Sequence, residues 1–263
     1  MKIIKNTFRS TIEKSVRKII FKKSLPKRFK GNHQFYVTPD AQLKYIKLGD
    51  TSFDKVLLDT VEYFINENSI VWDIGANVGV FSYSAAAQGA TVIATEPDLF
   101  LVNLIMKSKR LKRNNDLKVT ILPIANGKKD TVNNLLIANR GRASNALETS
   151  FGMKTQMGGV RDIISVPIMK LDTMLCGKIP PPTFLKIDVE GSEVDVLAGA
   201  TKILKEIRPI IFIEADIRTR PKVDAILNAN NYVLYENIED VKNGAFVHGQ
   251  IKKKDTIAIP KNK

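Results

Sequence analysis

The sequence predicts a single α/β domain, built on a doubly wound and mostly parallel sheet with an antiparallel strand at its C-terminal edge. Apolar, strand-like runs alternate with helical patterns, which is typical of parallel βαβ units. The last two strand-like runs have no helix between them, so we expect the final strand to pair antiparallel. The length of 263 residues, of which 44% are hydrophobic and 26% charged, fits one large globular domain.

The predicted elements follow one another in a regular order. Short β-like stretches at 34–37 and 43–48 precede a helix over 53–66. The strands of the main domain are predicted at 70–72, 91–95, 118–122, 184–187, 210–213, 232–235 and 256–259. Its helices are predicted at 78–88, 99–113, 193–206 and 221–230.

Residues 139–159 interrupt this alternation as a polar, glycine-rich insertion near the middle of the chain. Long loops of this kind are often lids or binding segments, although an insertion without a role has the same composition. We assign residues 31–263 to one domain, with its core at about 53–235.

Residues 1–30 are predicted to form a separate, basic amphipathic helix. Apolar residues recur every three or four positions from Ile4 to Ile19, which gathers them on one stripe of a helix. Three interpretations remain open for this stripe. It packs on the body of the domain, it docks with its basic residues on a partner or an anionic membrane surface, or it is a disordered segment or an artefact of expression.

The positive charge of the chain is concentrated at its two ends. The formal net charge is +14. Eleven Lys or Arg against one acid give residues 1–30 a charge of +10, and five Lys against one Asp give residues 251–263 a charge of +4. Residues 31–250 are therefore formally neutral, which argues against a broad phosphate-binding surface.

Composition also bears on the compartment. No apolar run approaches the ~20 residues that a membrane-spanning helix needs, and the first residues do not resemble a secretory signal. Cys176 is the single cysteine, so the sequence offers neither an internal disulfide nor a multi-thiolate metal site. These features predict a cytoplasmic protein, with peripheral membrane contact through residues 1–30 as an option.

The most informative motif is a sharp turn between the first strand and helix of the main domain, VWDIGANVG at 71–79. Gly75 and Gly79 allow a tight turn and close approach of a ligand to the backbone. A dinucleotide would need the spacing G-x-G-x-x-G, and here Asn77 stands where the middle glycine would be. Asp73 disfavours a pyrophosphate but favours a cationic ligand such as S-adenosylmethionine, which carries an ammonium and a sulfonium.

A second acid ends the next strand. Glu96 is followed by Pro97 and lies seventeen residues after Gly79. A carboxylate in this position accepts hydrogen bonds from both ribose hydroxyls in nucleotide-binding α/β folds. The two strand ends together predict a ligand with a ribose and a positive centre.

A third group of acids follows two later strands. Asp188 and Glu190 come after the strand at 184–187, and Glu214 ends the strand at 210–213. Because the carboxyl ends of parallel strands share one edge of the sheet, these three carboxylates should converge there. Ser192 and Glu193 are interpreted instead as the cap and first turn of the following helix.

These motifs resemble the FkbM-type methyltransferases. The resemblance covers roughly residues 53–235 and rests on DIGANVG at 73–79, EP at 96–97, LD at 171–172, LKIDVEGSEVDVLAGA at 185–200 and IFIE at 211–214. It implies the class I methyltransferase (Rossmann-like) fold, a seven-stranded sheet that binds S-adenosylmethionine, and O-methylation of a sugar, a polysaccharide precursor or another small molecule. By this resemblance the cofactor is held by Asp73, Gly75, Ala76, Asn77, Gly79, Glu96, Pro97 and Asp188.

Several questions stay open at this point. Asp188, Glu190 or Glu214 acts as the base or orients the acceptor hydroxyl, whereas in an alternative they bind a divalent metal, for which no separate ligand set is predicted. His33 and His248 lie outside the motifs and are interpreted as surface residues. The alternative functions are an RNA 2′-O-methyltransferase, suggested by the basic ends and by Lys186 beside Asp188, and an inactive methyltransferase-fold interaction module. Glycine spacing disfavours a nicotinamide dehydrogenase, and the oligomeric state is not predicted.

Overall fold

The computed structural model describes residues 17, 19–150, 157–247, 251 and 253–261. In these residues the strands are β1 (Phe21–Ser24), β2 (Gln34–Val37), β3 (Ile70–Ile74), β4 (Thr91–Thr95), β5 (Val119–Leu122), β6 (Ala125–Asn126), β7 (Thr131–Ala138), β8 (Ala146–Leu147), β9 (Val160–Met169), β10 (Phe184–Ile187), β11 (Ile210–Glu214), β12 (Tyr232–Tyr235) and β13 (Asp255–Pro260). The α-helices are α1 (Lys55–Phe64), α2 (Val80–Ala87), α3 (Leu99–Lys109), α4 (Leu171–Met174), α5 (Glu193–Ala198), α6 (Arg220–Ala229) and α7 (Ile238–Lys242).

The central sheet has seven strands in the order β12-β13-β11-β10-β3-β4-β5. Strands β5, β4, β3, β10 and β11 run parallel to one another, so the predicted mostly parallel α/β fold is confirmed. The C-terminal strand β13 is antiparallel to both of its neighbours, β11 and β12. The prediction that this strand forms the edge of the sheet was wrong. Strand β13 lies between β11 and β12, and β12 forms the edge. The apolar run of β13 is thereby buried, and both sides of its backbone are paired.

Helices cover both faces of this sheet, as a doubly wound fold requires. On one face, α1, α2 and α3 contribute to a large apolar cluster that includes Val71, Val92 and Phe184. On the other, α5 and α6 contribute to a second cluster around Trp72 and Leu185. Because both faces are covered, the central strands are continuous apolar runs rather than alternating ones.

A second, smaller sheet follows β5 and contains the predicted insertion. Its order is β6-β9-β7-β8, and β7 pairs antiparallel with β9 along most of its length. The insertion at 139–159 connects these two long strands. It is more ordered than predicted, because a 3-10 turn at Arg142–Ser144 and strand β8 fall within it. Residues 151–156 lie outside the described part of the chain.

Two predicted elements differ from the structure, and the prediction of no helix between the last two strands was wrong, because α7 lies there. The helix expected over 193–206 ends at Ala198, and a π turn at Ile203–Ile207 follows. Gly199 is the C-cap residue at this break, and only glycine fits there, since a Cβ would lie 2.1 Å from the carbonyl oxygen of Gly127. The β-like stretch at 43–48 is instead a 3-10 turn at Leu43–Ile46 with its continuation. Its backbone is bonded locally, from N–H to the carbonyl three residues earlier, and not to a neighbouring strand.

The N-terminal prediction is only partly accessible to the structure. Residues 1–16 and 18, where most of the predicted helix falls, lie outside the described residues. The helix does not extend to residue 30, because β1 pairs antiparallel with β2 and its exposure alternates residue by residue. None of the helices in the described part of the chain has the length and apolar character needed to cross a bilayer.

Candidate active site

A cavity opens at the carboxyl ends of β3, β4, β10 and β11 and is closed on one side by the insertion. Its interior volume is about 200 Å³, and it widens into an open mouth. The carboxyl edge of a parallel sheet is where α/β folds bind their ligands. The cavity therefore lies where the sequence places the site.

The turn after β3 brings backbone to the cavity wall. Gly75 has φ +78°, and a Cβ at this position would lie 2.0 Å from the carbonyl oxygen of Asp188. Only glycine fits here, since both the conformation and the contact exclude a side chain. Asn77 is also in the left-handed region, with φ 54°, and both Gly75 and Asn77 line the cavity.

The predicted residues Asp73, Ala76 and Gly79 support the turn and are not among the lining residues. Asp73 is fully buried beneath the turn. One of its oxygens accepts a hydrogen bond of 2.6 Å from Ser82 Oγ. The other lies 3.0 Å from the ammonium of Lys186. Gly79, with φ 85°, is the N-cap residue of α2.

Lys186 on β10 connects these parts of the site. Its Nζ donates to the Gly75 carbonyl oxygen at 2.9 Å and lies 3.4 Å from Asp188 Oδ2. Burial lowers the pKa of Lys186, but the charges of Asp73 and Asp188 outweigh burial and raise it. Lys186 is thus a fixed cation that balances two acids and holds the turn.

Glu96 at the end of β4 is almost buried, with 7% exposure. Its Oε2 accepts a hydrogen bond of 2.8 Å from the Asn77 N–H, and its Oε1 accepts one of 2.9 Å from the Asp98 N–H. Burial raises the pKa of Glu96 to about 8. A carboxyl oxygen can accept more than one hydrogen bond in either protonation state, so Glu96 retains acceptor capacity toward the cavity. This arrangement fits a ribose diol, as expected for the adenosyl part of S-adenosylmethionine.

The insertion forms the wall opposite the turn. Arg142 is paired with Asp98, which is fully buried and caps α3, and with Asp40 at 3.0 Å. Asn145 Nδ2 also donates to Asp98, at 2.7 Å. The guanidinium of Arg142 lies 4.3 Å from the centre of the Phe100 ring. The insertion is therefore anchored to the strand end that carries Glu96.

The three acids predicted to be catalytic all line the cavity. Asp188 faces Lys186, and Glu214 is paired with Lys254. Burial raises the pKa of Glu190 to about 7, and the charge of Asp188 adds to this effect. A carboxyl group that titrates near neutrality can take up a proton at physiological pH. The prediction that these carboxylates converge is confirmed by the geometry, and their catalytic roles stay predictions.

Ser192 and Glu193 differ in how far they match their predicted structural roles. Glu193 is 2% exposed, and its two oxygens accept hydrogen bonds from the Gly191 N–H and the Thr219 hydroxyl. It is structural, as predicted. Ser192 makes no side-chain cap. Instead, its hydroxyl lies 2.5 Å from that of Ser150, and it lines the cavity.

Sequence reasoning missed part of the lining. Asn126 follows β5 and lines the cavity. Its Oδ1 accepts from the Thr95 hydroxyl, and its Nδ2 donates to the Met169 carbonyl. Its place after a parallel strand was a usable signal. Arg142, Asn145 and Lys254 offered no such signal, because they lie in the insertion and before the last strand.

The histidines do not contribute to the cavity as far as the structure describes them. His33 was expected at the surface but is 4% exposed, with Nδ1 2.6 Å from the Arg113 carbonyl oxygen. Its buried position follows from this polar partner. His248 lies outside the described residues. Among the described residues, no group of three or more His, Cys, Asp or Glu has the arrangement of a metal site.

Comparison with known proteins gives a consistent result. The profile of the methyltransferase FkbM domain matches residues 73–234. The hexuronic acid methyltransferase AglP of Haloferax volcanii is 28% identical over 182 residues, which is 66% of this chain and 65% of that protein. The chain thus spans a little under two thirds of the length of this curated relative.

Solved structures of low sequence identity are also similar. The FkbM methyltransferase of Methylobacillus flagellatus is 15% identical, with a TM-score of 0.45 over 84% of this chain and 58% of that one. The precorrin-6y C5,15-methyltransferase of Geobacter metallireducens is 13% identical, with a TM-score of 0.43 over 77% of this chain and 84% of that one.

Proposed function

Because the chain belongs to the FkbM family of methyltransferases, we propose that it transfers a methyl group from S-adenosylmethionine to a hydroxyl oxygen of a sugar. The observation that carries this proposal is the presence in one cavity of two acids suited to different tasks. A backbone hydrogen bond holds Glu96 where it can bind a ribose, and the raised pKa of Glu190 allows it to accept a proton. The alternatives, an RNA 2′-O-methyltransferase and an inactive module, are not favoured by the family match or by the curated relative.

The lining residues fit the three parts of the cofactor. Glu96 accepts hydrogen bonds from the ribose hydroxyls, and the glycine turn leaves room for backbone contact at Gly75. Asp188 offers its free lone pairs to the ammonium of the methionine part. S-adenosylmethionine, when bound, supplies an electrophilic methyl group on a cationic sulfur, and the carbon–sulfur bond breaks as the acceptor oxygen attacks.

Glu190 takes the proton of the acceptor hydroxyl in this proposal. Its raised pKa makes it a stronger base than an ordinary carboxylate, and at neutral pH a substantial fraction is still ionised. Asp188 and Glu214 are held by lysines, so they orient the hydroxyl or its neighbours rather than exchange protons.

We further propose an acidic sugar as the acceptor, as the name of the curated relative suggests. In the described residues two cations line the cavity, Arg142 and Lys254. The Arg142 side chain is 17% exposed and lies between two acids, whereas that of Lys254 is 61% exposed and pairs with one acid, Glu214. Lys254 is therefore the residue we assign to the acceptor carboxylate.

The location of the enzyme is part of the same proposal. The thiol of Cys176 is exposed and free, which suits the reducing cytoplasm predicted from the sequence. Peripheral membrane contact through the basic segment 1–30 would bring the enzyme to acceptors at the membrane surface.

Calorimetry with S-adenosylmethionine, followed by mass spectrometry of a panel of uronic acid glycosides, neutral glycosides and RNA oligomers, tests this function. We expect cofactor binding and the mass gain of one CH₂ on uronic acid glycosides. Lys254→Met should raise KM for these by roughly tenfold and leave KM for neutral glycosides unchanged. Absence of cofactor binding would support the inactive module, and methylation confined to RNA would support the nucleic-acid enzyme.

A further inference from the structure

Residues 43–48, here named the apolar turn, present three aliphatic side chains to solvent. Leu48 is 90% exposed, Ile46 51% and Leu43 45%. Single exposed aliphatic residues are common on protein surfaces and need no explanation. Three lie within six residues here, and two of them, Ile46 and Leu48, line one groove, so the apolar turn is a candidate contact surface.

Cations share this surface with the apolar turn. Ile46 and Leu48 line a shallow groove with Lys22, Lys27 and Lys47, and these three lysines are exposed. Lys23 fixes β1 against the turn, since its Nζ donates to the Lys47 carbonyl oxygen at 2.5 Å and to the Ser52 hydroxyl at 2.9 Å. One acid, Asp50, lies in the same groove. The surface is thus apolar at its tip and positive around it.

We propose that the apolar turn and its surrounding lysines dock on an anionic membrane surface. Aliphatic side chains lie at the boundary of head groups and acyl chains, while lysines remain among the lipid phosphates. Binding to single-stranded RNA would require exposed aromatic rings for stacking on bases. Of the aromatic residues that line this groove, Tyr45 and Phe53 are buried and Phe21 is half-buried. None of these three is exposed for stacking, so the chemistry favours lipid.

The position of the apolar turn gives this docking a consequence for the site. Gln42, which immediately precedes the turn, lines the cavity. The turn therefore begins next to a residue of the cavity wall. Given the proposed function, docking through the turn brings the cavity close to acceptors held at the membrane surface. The basic segment 1–20 leads directly into β1 and adds cations at the same end of the chain.

Co-sedimentation of the full chain with phosphatidylglycerol-containing and pure phosphatidylcholine vesicles tests the proposal. We expect binding to the anionic vesicles alone, weakening as salt rises. The double variant Ile46→Ser, Leu48→Ser should lower the partition coefficient by at least about tenfold. Val132→Ser is the matched control, because Val132 is 67% exposed on β7, in the four-stranded sheet and outside the apolar turn. Thermal unfolding and calorimetry with S-adenosylmethionine show that the variants are folded and retain the cofactor site.

Charge reversal provides a second, independent measurement. Lys22→Glu with Lys27→Glu should weaken binding to anionic vesicles, whereas Lys202→Glu with Lys205→Glu, at exposed positions after α5, should not. The proposal is overturned if the wild type ignores anionic vesicles or if the Ile46, Leu48 variant binds them as the wild type does. It is also overturned if the wild type binds an RNA oligomer and that affinity, rather than vesicle binding, falls in the variants.

Discussion

The cavity has a cofactor half, at Gly75 and Glu96, and an acceptor half, at Glu190 and Glu214. The acids of the two halves differ in burial and in their partners. In the cofactor half, the wall residue Glu96 and the supporting acids Asp73 and Asp98 are nearly or fully buried, and each is held by hydrogen bonds or a cation. Asp188, assigned to the cofactor ammonium, is partly exposed, as are Glu190 and Glu214 in the acceptor half. Glu190 has no hydrogen bond or ion pair with the described residues, and its pKa is raised to about 7.

The difference indicates that the buried acids position the ligand, whereas Glu190 can transfer a proton. Buried acids with fixed partners keep one geometry, which suits the recognition of a ribose and the support of a glycine turn. An acid without a fixed partner changes its protonation state at little structural cost. Substitutions in the acceptor half should therefore affect turnover, and substitutions in the cofactor half should affect folding and cofactor affinity.

The largest expected effect comes from Glu190→Gln in the acceptor half. The amide cannot accept the acceptor proton, so kcat should fall by about 10²–10⁴-fold. The affinity for S-adenosylmethionine, measured by calorimetry, should change by less than about threefold, because the residues assigned to the ribose and the turn are untouched. Full activity of this variant would remove Glu190 from the reaction.

Glu193→Gln is the matched control for this variant. Burial also raises the pKa of Glu193 to about 7, but Glu193 is hydrogen-bonded and does not line the cavity. The ionised form of Glu190 accumulates as pH rises through about 7. In the wild type and in Glu193→Gln, kcat/KM should therefore rise across that range, and in Glu190→Gln this rise should be absent.

The next largest effect is expected from Lys186→Met in the cofactor half. This change leaves the buried Asp73 without its cation and the Gly75 carbonyl without its donor. Breaking a buried ion pair costs about 3–5 kcal/mol of unfolding free energy, which urea denaturation measures. Lys202→Met, at an exposed position, should change stability by less than about 0.5 kcal/mol.

The neutral pair Asp73→Asn with Lys186→Met sharpens the same comparison. Removing both charges should recover part of the lost stability, because the uncompensated charge causes most of the loss. If the double variant is no more stable than Lys186→Met, the loss arises from packing and not from the charge of Asp73.

Much of the fold followed from the sequence because its signals are local. Apolar runs and helix periodicity predicted the parallel strands of the sheet. The antiparallel final strand was predicted from the absence of a helix before it, whereas the short helix α7 lies between β12 and β13. The close contact of Gly199 with Gly127 at the end of α5 and the position of β13 both depend on segments that are distant in sequence. Neither is visible in the periodicity of one segment.

The candidate site was predictable to the extent that its residues follow parallel strands. Gly75, Asn77, Glu96, Pro97 and the three acids lie in the cavity for this reason. Asp73 was expected to touch the ligand, but burial of its carboxylate requires Lys186, and the partner of a buried charge is a tertiary contact. The wall formed by the insertion depends on ion pairs across long stretches of chain, such as Arg142 with Asp98 and Asp40.

Arg142→Gln tests that wall and has the smallest expected effect of the three. The glutamine cannot balance the charge of Asp98, so the insertion should be held less firmly over the ribose end of the cavity. We expect the Kd for S-adenosylmethionine to rise by about tenfold, equivalent to about 1.4 kcal/mol. Calorimetry gives this value directly.

Arg161→Gln distinguishes the effect of loosening the wall from the effect of removing a surface cation. Arg161 also pairs with Asp40, at 2.6 Å, but it neither contacts Asp98 nor lines the cavity. Its substitution should leave the cofactor Kd within about threefold of the wild type. Equal losses in both variants would mean that Asp40, rather than Asp98, anchors the insertion. An unchanged Kd in Arg142→Gln would mean that the cofactor half is held by the turn alone, because Glu96, Lys186 and Gly75 do not depend on the insertion for their hydrogen bonds.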